Sequence, residues 1–526
     1  MSPISRIALA SLLLLPLTLP TALPVVAQEQ ASETAPETTP LPEMAAVEQA
    51  WKRGDFVLVR SALQRLAKEQ GTPLAQYRYG RVLLEGRGGP RDLNGAMVWL
   101  QKAVEQDHLP ATTLLARLHL SAPEEQRDAA TAATLLAGAA ARGDSEAQYY
   151  LGLLVSAGDG LPKNEAAAVN WFLAAAEQQH IEAQYALSRA YAKGTGTAEN
   201  PTKALRWLQE AASNGHTEAQ FYLALTHDRG QGVPQNQSEA LRWYRAAAEA
   251  GHKLSQRILG TRYMQGDGVE KNLDEALRWL TAAAEAGEPG AMSNLGYLYA
   301  TGTGVAQDDG IASIWYARAA ERGIGGAMLA LARFHETGHG VDQDIAKALA
   351  LYQQAAAQNT PGATAQLAAL SLSGTLEGLI APQQMIPWMV AEAQDSNAQA
   401  EAWLVAAAKD NMRAAQTALA LLQLERGDEP AAPVALLEQA ATAGDPQAQA
   451  QLGTLYTTGT GVALDYVVAH KWLNVAAASG VSAAAKQRDL IAKLMTPEQV
   501  AEAQTAARIF FDEAASRVPP PQQVNQ

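Results

Sequence analysis

Apolar residues recur along most of this chain at the three- and four-residue spacing of amphipathic helices, and the pattern itself repeats. Residues 255–290 show one copy, with a first helical segment, a loop that reads Gly-Asp-Gly, and a second helical segment. In the second segment Ala276, Leu280 and Ala283 share one face with Trp279. A single pair of helices leaves this stripe exposed, so each pair is predicted to stack on its neighbours.

Tryptophan marks the period of the repeat, which is 36 residues. On one 36-residue grid, six positions hold Trp and two hold Leu, namely Trp99, Trp171, Trp207, Trp243, Trp279, Trp315, Leu135 and Leu351. Eight consecutive units without insertion begin at Ala75, Ala111, Ala147, Ala183, Ala219, Ser255, Ala291 and Ala327. The predicted fold class is therefore all-α, an α/α superhelical solenoid of about eleven helix-hairpin repeats with helical caps.

The regular units are flanked by less regular segments. The predicted segments are, in chain order, a signal peptide over 1–27, a disordered acidic and Pro-rich linker over 28–43, an N-terminal capping helix pair over 44–74, eight regular repeats over 75–362, a ninth repeat with a helical insertion over 363–414, two further repeats over 415–483, C-terminal capping helices over 484–517 and a disordered tail over 518–526. The insertion contains an extra helix predicted from Pro382 to Gln394.

The first residues are typical of an export signal. Arg6 precedes an apolar run, Ile7–Leu19, and small residues stand before Gln28, where a signal peptidase would cut. The run is shorter than the roughly 20 apolar residues that span a bilayer, and no later stretch is long and apolar enough. We expect a periplasmic protein, or alternatively a secreted one, with an uncleaved membrane anchor as the other interpretation of this segment.

Composition excludes several kinds of site and partner. The formal net charge of -14 would repel nucleic-acid phosphates and anionic lipid, so neither is an expected partner. The chain has no cysteine, which excludes disulfides, thiolate nucleophiles and zinc–sulfur sites.

The repeated residues resemble the Sel-one-like repeat family, a relative of the tetratricopeptide repeats. The family pattern is matched by Leu295-Gly296, Tyr299, the loop 302–305 and Trp315-Tyr316, and the resemblance covers roughly residues 75–495. It implies a right-handed α/α superhelix whose members act mainly as protein-binding adaptors. Bacterial members are often exported and linked to envelope assembly, signalling or host contact, and the family has no catalytic motif to transfer.

One string, His335-Glu336-Thr337-Gly338-His339, spells the H-E-x-x-H of zinc peptidases. That chemistry requires both histidines on one face of a continuous helix. The repeat register places Gly338 at the end of the helix, so the two imidazoles are not expected to converge. His119, His227 and His335 share one repeat position three units apart, and they are too distant to share a metal.

A candidate partner surface lies on the first helices of repeats one to five. Aromatic residues recur at the third position of these helices, and two of them have Arg four residues later, so the set is Tyr77, Arg81, Tyr149, Tyr185, Arg189 and Phe221. The resemblance to tetratricopeptide-like arrays implies that the first helices line the concave side. Tyr and Arg are favoured at binding hot spots, so we expect a concave strip of these residues that contacts a partner. The alternative is that the aromatic rings pack between successive first helices.

Together these features predict an exported, non-enzymatic scaffold that binds proteins in the bacterial cell envelope, with no cofactor, metal or catalytic residue. One alternative is a module that grips peptidoglycan or a secreted polysaccharide, its aromatic rings stacking on sugars. An enzyme is the interpretation that the sequence pattern favours least.

Overall fold

The computed structural model describes residues 42–121 and 127–516, and among these residues the secondary structure is α-helical with two short 3-10 helices and no strand. The predicted signal peptide, the linker up to residue 41 and the C-terminal tail lie outside the described residues. The last two residues assigned to the linker, Pro42 and Glu43, begin the first helix instead, because proline is tolerated at the first position of a helix and the helix dipole favours an acidic residue in the first turn.

The chain divides into two compact units, and the first ends at Glu288. Its helices are α1 (Pro42–Lys52), α2 (Phe56–Glu69), α3 (Pro73–Glu85), α4 (Leu93–Val104), α5 (Leu109–Ser121), α6 (Ala129–Ala141), α7 (Ser145–Ala157), α8 (Glu165–Glu177), α9 (Ile181–Lys193), α10 (Pro201–Ser213), α11 (Thr217–Arg229), α12 (Gln237–Glu249), α13 (Lys253–Gln265) and α14 (Leu273–Glu285).

The second unit begins at Pro289. Its helices are α15 (Pro289–Thr301), α16 (Asp309–Glu321), α17 (Gly325–Thr337), α18 (Ile345–Ala357), α19 (Ala363–Leu372), a 3-10 helix (Pro382–Met385), α20 (Ile386–Gln394), α21 (Ala398–Lys409), α22 (Arg413–Arg426), α23 (Ala431–Thr442), α24 (Pro446–Thr458), α25 (Tyr466–Ala478), α26 (Ser482–Ile491), a 3-10 helix (Ala492–Leu494) and α27 (Pro497–Ser516). The prediction of an all-α array of helical hairpins is confirmed.

Each hairpin core is built around the residue that follows the tryptophan. These residues are buried in the hairpins of repeats one to eight, namely Leu100, Leu136, Phe172, Leu208, Tyr244, Leu280, Tyr316 and Tyr352. Trp99, Trp171, Trp243 and Trp315 are half-buried, whereas Trp207, Trp279 and Trp472 are buried. Six of these tryptophans have a cation near the indole ring, in the pairs Lys102–Trp99, Arg206–Trp207, Arg242–Trp243, Arg278–Trp279, Arg318–Trp315 and Lys471–Trp472. The burial of the tryptophan thus varies between repeats, whereas the residue that follows it is buried in each.

A small residue in the first helix makes room for that core residue. A Cβ atom added to Gly152 would lie 2.6 Å from the Phe172 ring, and one added to Gly296 would lie 2.7 Å from the Tyr316 ring. At Gly260 it would meet both Leu280 and the carbonyl oxygen of Ala276. The small residue thus provides the space that a side chain of the second helix occupies.

The Gly-x-Gly loop joins the two helices of one repeat and packs against the repeat before it. Gly194 ends α9 in the left-handed conformation, and Gly196 is also left-handed at φ +70°. A Cβ atom on Gly196 would overlap the carbonyl group of Glu165, in the first turn of α8. The second glycine is thus required because the loop rests directly on the backbone of the preceding repeat.

The insertion in the ninth repeat is packed into the core of the second unit. It forms the 3-10 helix and α20, over the segment where one extra helix was expected. Its Met385, Ile386 and Met389 are buried, and Met389 belongs to the same apolar cluster as Leu404 of α21.

Candidate functional site

The six residues of the predicted strip lie at matching positions on α3, α7, α9 and α11. Tyr77, Arg189 and Phe221 are buried, with 7%, 7% and 9% of their surface exposed. Arg81, Tyr149 and Tyr185 are half-buried, so each keeps an accessible edge.

Each of the four aromatic rings packs against a histidine that starts the next first helix. The ring centroids are 4.8 Å apart for Tyr77–His108, 4.8 Å for Tyr149–His180, 4.2 Å for Tyr185–His216 and 4.5 Å for Phe221–His252. The rings therefore lie between successive first helices, and contact of the half-buried ones with a partner stays a prediction.

The same four histidines cap the helices that they start. The Nδ1 atom accepts a hydrogen bond from the backbone N–H three residues later, over 3.2 Å for His108–Ala111, 3.2 Å for His180–Ala183, 3.1 Å for His216–Ala219 and 3.2 Å for His252–Ser255. An accepting Nδ1 leaves the proton of the neutral ring on Nε2. In His216 the Nε2 atom lies 3.0 Å from the Glu182 carboxylate, and in His252 it lies 3.5 Å from the Glu218 carboxylate.

These caps were not identified from the sequence, although His108, His180, His216 and His252 fall on a 36-residue grid as the tryptophans do. Burial lowers the pKa of His180 to about 4, and the positive charge of Arg117 acts in the same direction. Burial also lowers the pKa of His108. Both rings are thus held in the neutral form that a cap requires.

The two arginines of the strip have different surroundings. Arg81 lies over the Tyr77 ring at 5.8 Å and pairs with Glu85 over 3.3 Å. Arg189 lies over the Tyr185 ring at the same distance, 5.8 Å. Among the described residues it forms no ion pair with a carboxylate, and its buried Nε has no hydrogen-bond partner.

Arg189 lines a pocket of about 220 Å³ between repeats three and four. The other lining residues are Ser156, Lys163, Glu165, Ala190, Lys193 and Thr195. The Glu165 carboxylate is engaged by Lys163, whose Nζ atom lies 2.8 Å away. Three cationic side chains therefore face one carboxylate, so the pocket is locally basic on an acidic protein.

The histidines of the H-E-x-x-H string do not share a helical face. Helix α17 ends at Thr337, before His339, as the register predicts. Glu336 accepts hydrogen bonds from the Tyr352 hydroxyl, at 2.5 Å, and from the Gln366 amide, at 3.3 Å. This glutamate joins α17 to α18 and α19, and no group of three or more His, Asp or Glu side chains that could hold a metal ion occurs in the described part of the chain.

Comparison with known proteins identifies the repeat. The sequence model of the Sel1 repeat matches eight stretches, residues 73–108, 145–180, 181–216, 217–252, 253–288, 289–324, 326–360 and 446–481. The stretches left unmatched between them, 109–144 and 361–445, contain repeats two, nine and ten, which depart from the pattern. No curated protein matches the chain at a significant level.

Solved structures of similar proteins agree with this family. The chain is similar to a protective antigen present in uropathogenic Escherichia coli strains, which displays an SLR fold, with 27% identity and a TM-score of 0.56 over 89% of this chain and 99% of that one. It is also similar to a Sel1 repeat protein from Oxalobacter formigenes, with 28% identity and a TM-score of 0.44 over 68% of this chain and 99% of that one.

Sel1 repeat proteins generally mediate protein–protein interactions, and their repeat scaffold is generally non-enzymatic. None of the helices in the described ranges has the length and apolar character needed to cross a membrane. The eight matched stretches cover more than half of the sequence, and the hairpins that they form are those of the structure. The chain belongs to the Sel1 repeat family.

Proposed function

We propose that this protein is an exported, non-enzymatic scaffold of the bacterial cell envelope, and that it binds other proteins along its first helices. The observation that carries the proposal is the stacking of hairpins on one continuous core. In the first unit a single cluster of buried apolar side chains extends from Ala116 to Trp279. First helices that share such a core present side chains at fixed intervals, which suits recognition by a rigid surface.

The accessible edges of Arg81, Tyr149 and Tyr185 form the contact surface in this proposal. Tyr77 and Phe221 are too deeply buried to contribute much area, and they serve to hold their neighbours in place. The rings pack on histidines, which leaves little face for stacking on a sugar. Proteins, for which hot spots rich in Tyr and Arg are typical, are therefore the proposed partners.

Site-specific crosslinking tests the surface. A photoreactive phenylalanine analogue placed at Tyr149 or Tyr185 preserves an aromatic ring and thus the packing on His180 or His216. In native cells it is expected to give discrete protein adducts. The same analogue at Val98, which is 56% exposed on the second helix α4, is the matched control and is expected to give none. Adducts at Val98 alone, or no adducts at all, would contradict the proposal.

Export is tested by the mass of the protein isolated from its native host. Residues 1–27 carry the features of a signal peptide, so the mature chain is expected to begin at Gln28 and to occur in the periplasmic or secreted fraction. Recovery of the uncleaved chain in the cytoplasmic fraction would contradict export and leave protein binding as a separate question.

A further inference from the structure

Arg189 is an unusual residue because it is buried without an ion pair. Only 7% of its surface is exposed, its Nε has no hydrogen-bond partner, and within the described residues it makes no ion pair. It makes a cation–π contact with Tyr185. The hydrogen bond with His252 and, to a smaller degree, the charge of Arg189 lower the pKa of Glu218, so Arg189 attracts this carboxylate from beyond ion-pair distance. A buried guanidinium normally requires a carboxylate or a full set of acceptors, so this arrangement needs an explanation.

Two other arginines at the same position in the repeat have carboxylate partners. Arg81 pairs with Glu85, four residues later on α3. Arg117 pairs with Glu146 over 2.5 Å. For Arg189 the first of these partner positions holds Lys193, and the second holds Glu218, which attracts Arg189 but forms no ion pair with it.

The repeat does not require an arginine at this position. The two adjacent repeats have the apolar residue leucine at this position, namely Leu153 and Leu225. Leu153 is buried and Leu225 packs against the core of the first unit. Packing alone would therefore be satisfied by leucine at this position.

The pocket beside Arg189 has the size and chemistry of a site for one anionic group. Lys193 lines it, and burial together with the charge of Arg189 lowers the pKa of Lys193. The hydroxyl groups of Ser156 and Thr195 add donors. A volume of about 220 Å³ accommodates a carboxylate and its methylene groups but no folded element.

We propose that this pocket binds a carboxylate of the protein partner, supplied by a Glu or Asp side chain or by a chain terminus. The planar fork of Arg189 matches the two oxygens of a carboxylate, and the bound anion provides the direct ion pair that Arg189 does not make within the described residues. This inference rests on the proposed function, because it names the partner chemistry that the first-helix surface recognises. Because the remainder of the protein is strongly acidic, it repels a carboxylate elsewhere on the surface and favours its binding in this basic pocket.

Calorimetric titration of the full chain with the blocked dipeptide acetyl-Glu-Glu-amide tests the site. We expect saturable binding that is absent with acetyl-Gln-Gln-amide at equal ionic strength. Arg189→Leu, which copies the adjacent repeats, is expected to weaken binding at least tenfold. Arg206→Gln removes an exposed arginine of α10 and is expected to leave binding unchanged. Equal binding by the Arg189→Leu protein would overturn the proposal.

Thermal unfolding separates a binding role from a structural one. Without peptide, the Arg189→Leu protein is expected to melt at the same temperature as the wild type or above it, because the variant removes a buried charge that has no ion-pair partner. A lower melting temperature would assign Arg189 to the fold and overturn the proposal. Inorganic phosphate is the second probe, and tighter binding of phosphate than of the dipeptide would overturn the choice of a carboxylate.

The two proposals fail in different ways. If crosslinks at Tyr149 and Tyr185 persist while the dipeptide does not bind, the scaffold function stands and the carboxylate pocket is wrong. If the dipeptide binds through Arg189 but no protein adducts form, the pocket stands and protein binding along the first helices is wrong.

Discussion

Histidine at the start of a first helix combines three contacts in the first unit. The ring of His216 stacks on Tyr185, its Nδ1 caps α11, and its Nε2 lies 3.0 Å from Glu182. One side chain therefore links α9 to α11 and satisfies a backbone donor that the helix itself leaves unpaired. Asp144 caps α7 at the same position, where it accepts hydrogen bonds from the Ala147 N–H and the Thr113 hydroxyl. It has no ring to stack, so the helix cap does not depend on the aromatic contact.

The neutral histidine caps predict loss of stability in mild acid. The pKa of His180 is about 4 in the fold, whereas an unfolded histidine has a pKa near 6.5. Between these values the unfolded chain binds more protons, so the free energy of unfolding falls as the pH drops from 6.5 to 4. His180→Asn keeps an acceptor for the cap but does not titrate, and it should reduce this fall by roughly 2–3 kcal/mol.

Thermal melts at pH 7 and pH 4 measure this effect. His339→Asn, at an exposed histidine beyond the end of α17, is the matched control and should behave as the wild type does. An identical acid-induced loss in the His180→Asn and His339→Asn proteins would show that the His180 cap does not titrate in this range.

Arg262 is a buried arginine that, unlike Arg189, forms an ion pair, so loss of its partner is expected to destabilise the fold. Arg262 has 10% of its side chain exposed and contacts Asp228 over 2.5 Å, and Asp228 also accepts from the Tyr244 hydroxyl. Asp228→Asn leaves the guanidinium without its charge partner and should lower the free energy of unfolding by about 3 kcal/mol. Asp267→Asn is the control, because Asp267 is 54% exposed and 3.9 Å from Arg262, and it should change stability by less than about 0.5 kcal/mol. Urea denaturation compares the two, and equal effects would contradict the assignment.

At the scale of the helix, the sequence predicted which helices exist and where they end better than it predicted how deeply each side chain is buried. Gly266 and its equivalents ended the first helices where expected, because the left-handed conformation strongly favours glycine. Trp279 keeps 6% of its surface exposed and Leu280 none, and this order could not be predicted, since neighbouring positions share the same apolar stripe. The histidine caps were missed because Ser, Thr, Asp and Asn are the usual residues there. The lack of a partner for Arg189 depends on side-chain packing that no period reveals.

The two left-handed glycines Gly196 and Gly268 should differ in their tolerance of alanine. Both have φ near +70°, so alanine costs about 1–2 kcal/mol at either position from the backbone conformation alone. At Gly196 a methyl group also overlaps the Glu165 carbonyl, whereas at Gly268 the nearest atom is the flexible end of Arg262 at 3.4 Å. Gly196→Ala should therefore cost about 3 kcal/mol or more. Denaturation midpoints test this, and equal midpoints would show that the loop does not rest on α8.

At the scale of the whole chain, the period makes repeats interchangeable in a way that a single core would not allow. Several hairpins of the first unit contact the next through the same set of residue positions, with an aromatic ring on a capping histidine or a loop glycine on a helix start. The fold class and the number of residues in each repeat were predictable from this period, and the family from the resemblance of the residues that recur in it. The positions of the compact units and the pocket at Arg189 were not, because they depend on where the repeat departs from its own pattern.

Deletion of one complete repeat, residues 217–252, should therefore yield a folded protein. It joins His216 to Lys253, so His216 keeps its stack with Tyr185 and caps α13 through Ser255 in place of Ala219. We expect unchanged helical content per residue and a cooperative melt a few degrees lower by circular dichroism. Deletion of the half repeat 217–234 removes α11 and leaves α12 without its hairpin partner, and it should lower the helical content. Equal outcomes for the two deletions would contradict a modular array.

The contact between a loop glycine and the preceding helix also limits where the array can change in length. Gly160, Gly196 and Gly340 each lie against a backbone carbonyl of the repeat before them, and Gly88 lies against one of the N-terminal capping helix α2, so an added residue in those loops would separate the two hairpins. In the ninth repeat Gly374 meets only its own Glu377, and Gly378 has open space beside it. The extra helix α20 enters the chain at this same loop. New segments, whether natural or engineered, are therefore expected at loops that do not contact the preceding repeat. Where a loop glycine does make this contact, the contact keeps the loop at a fixed length.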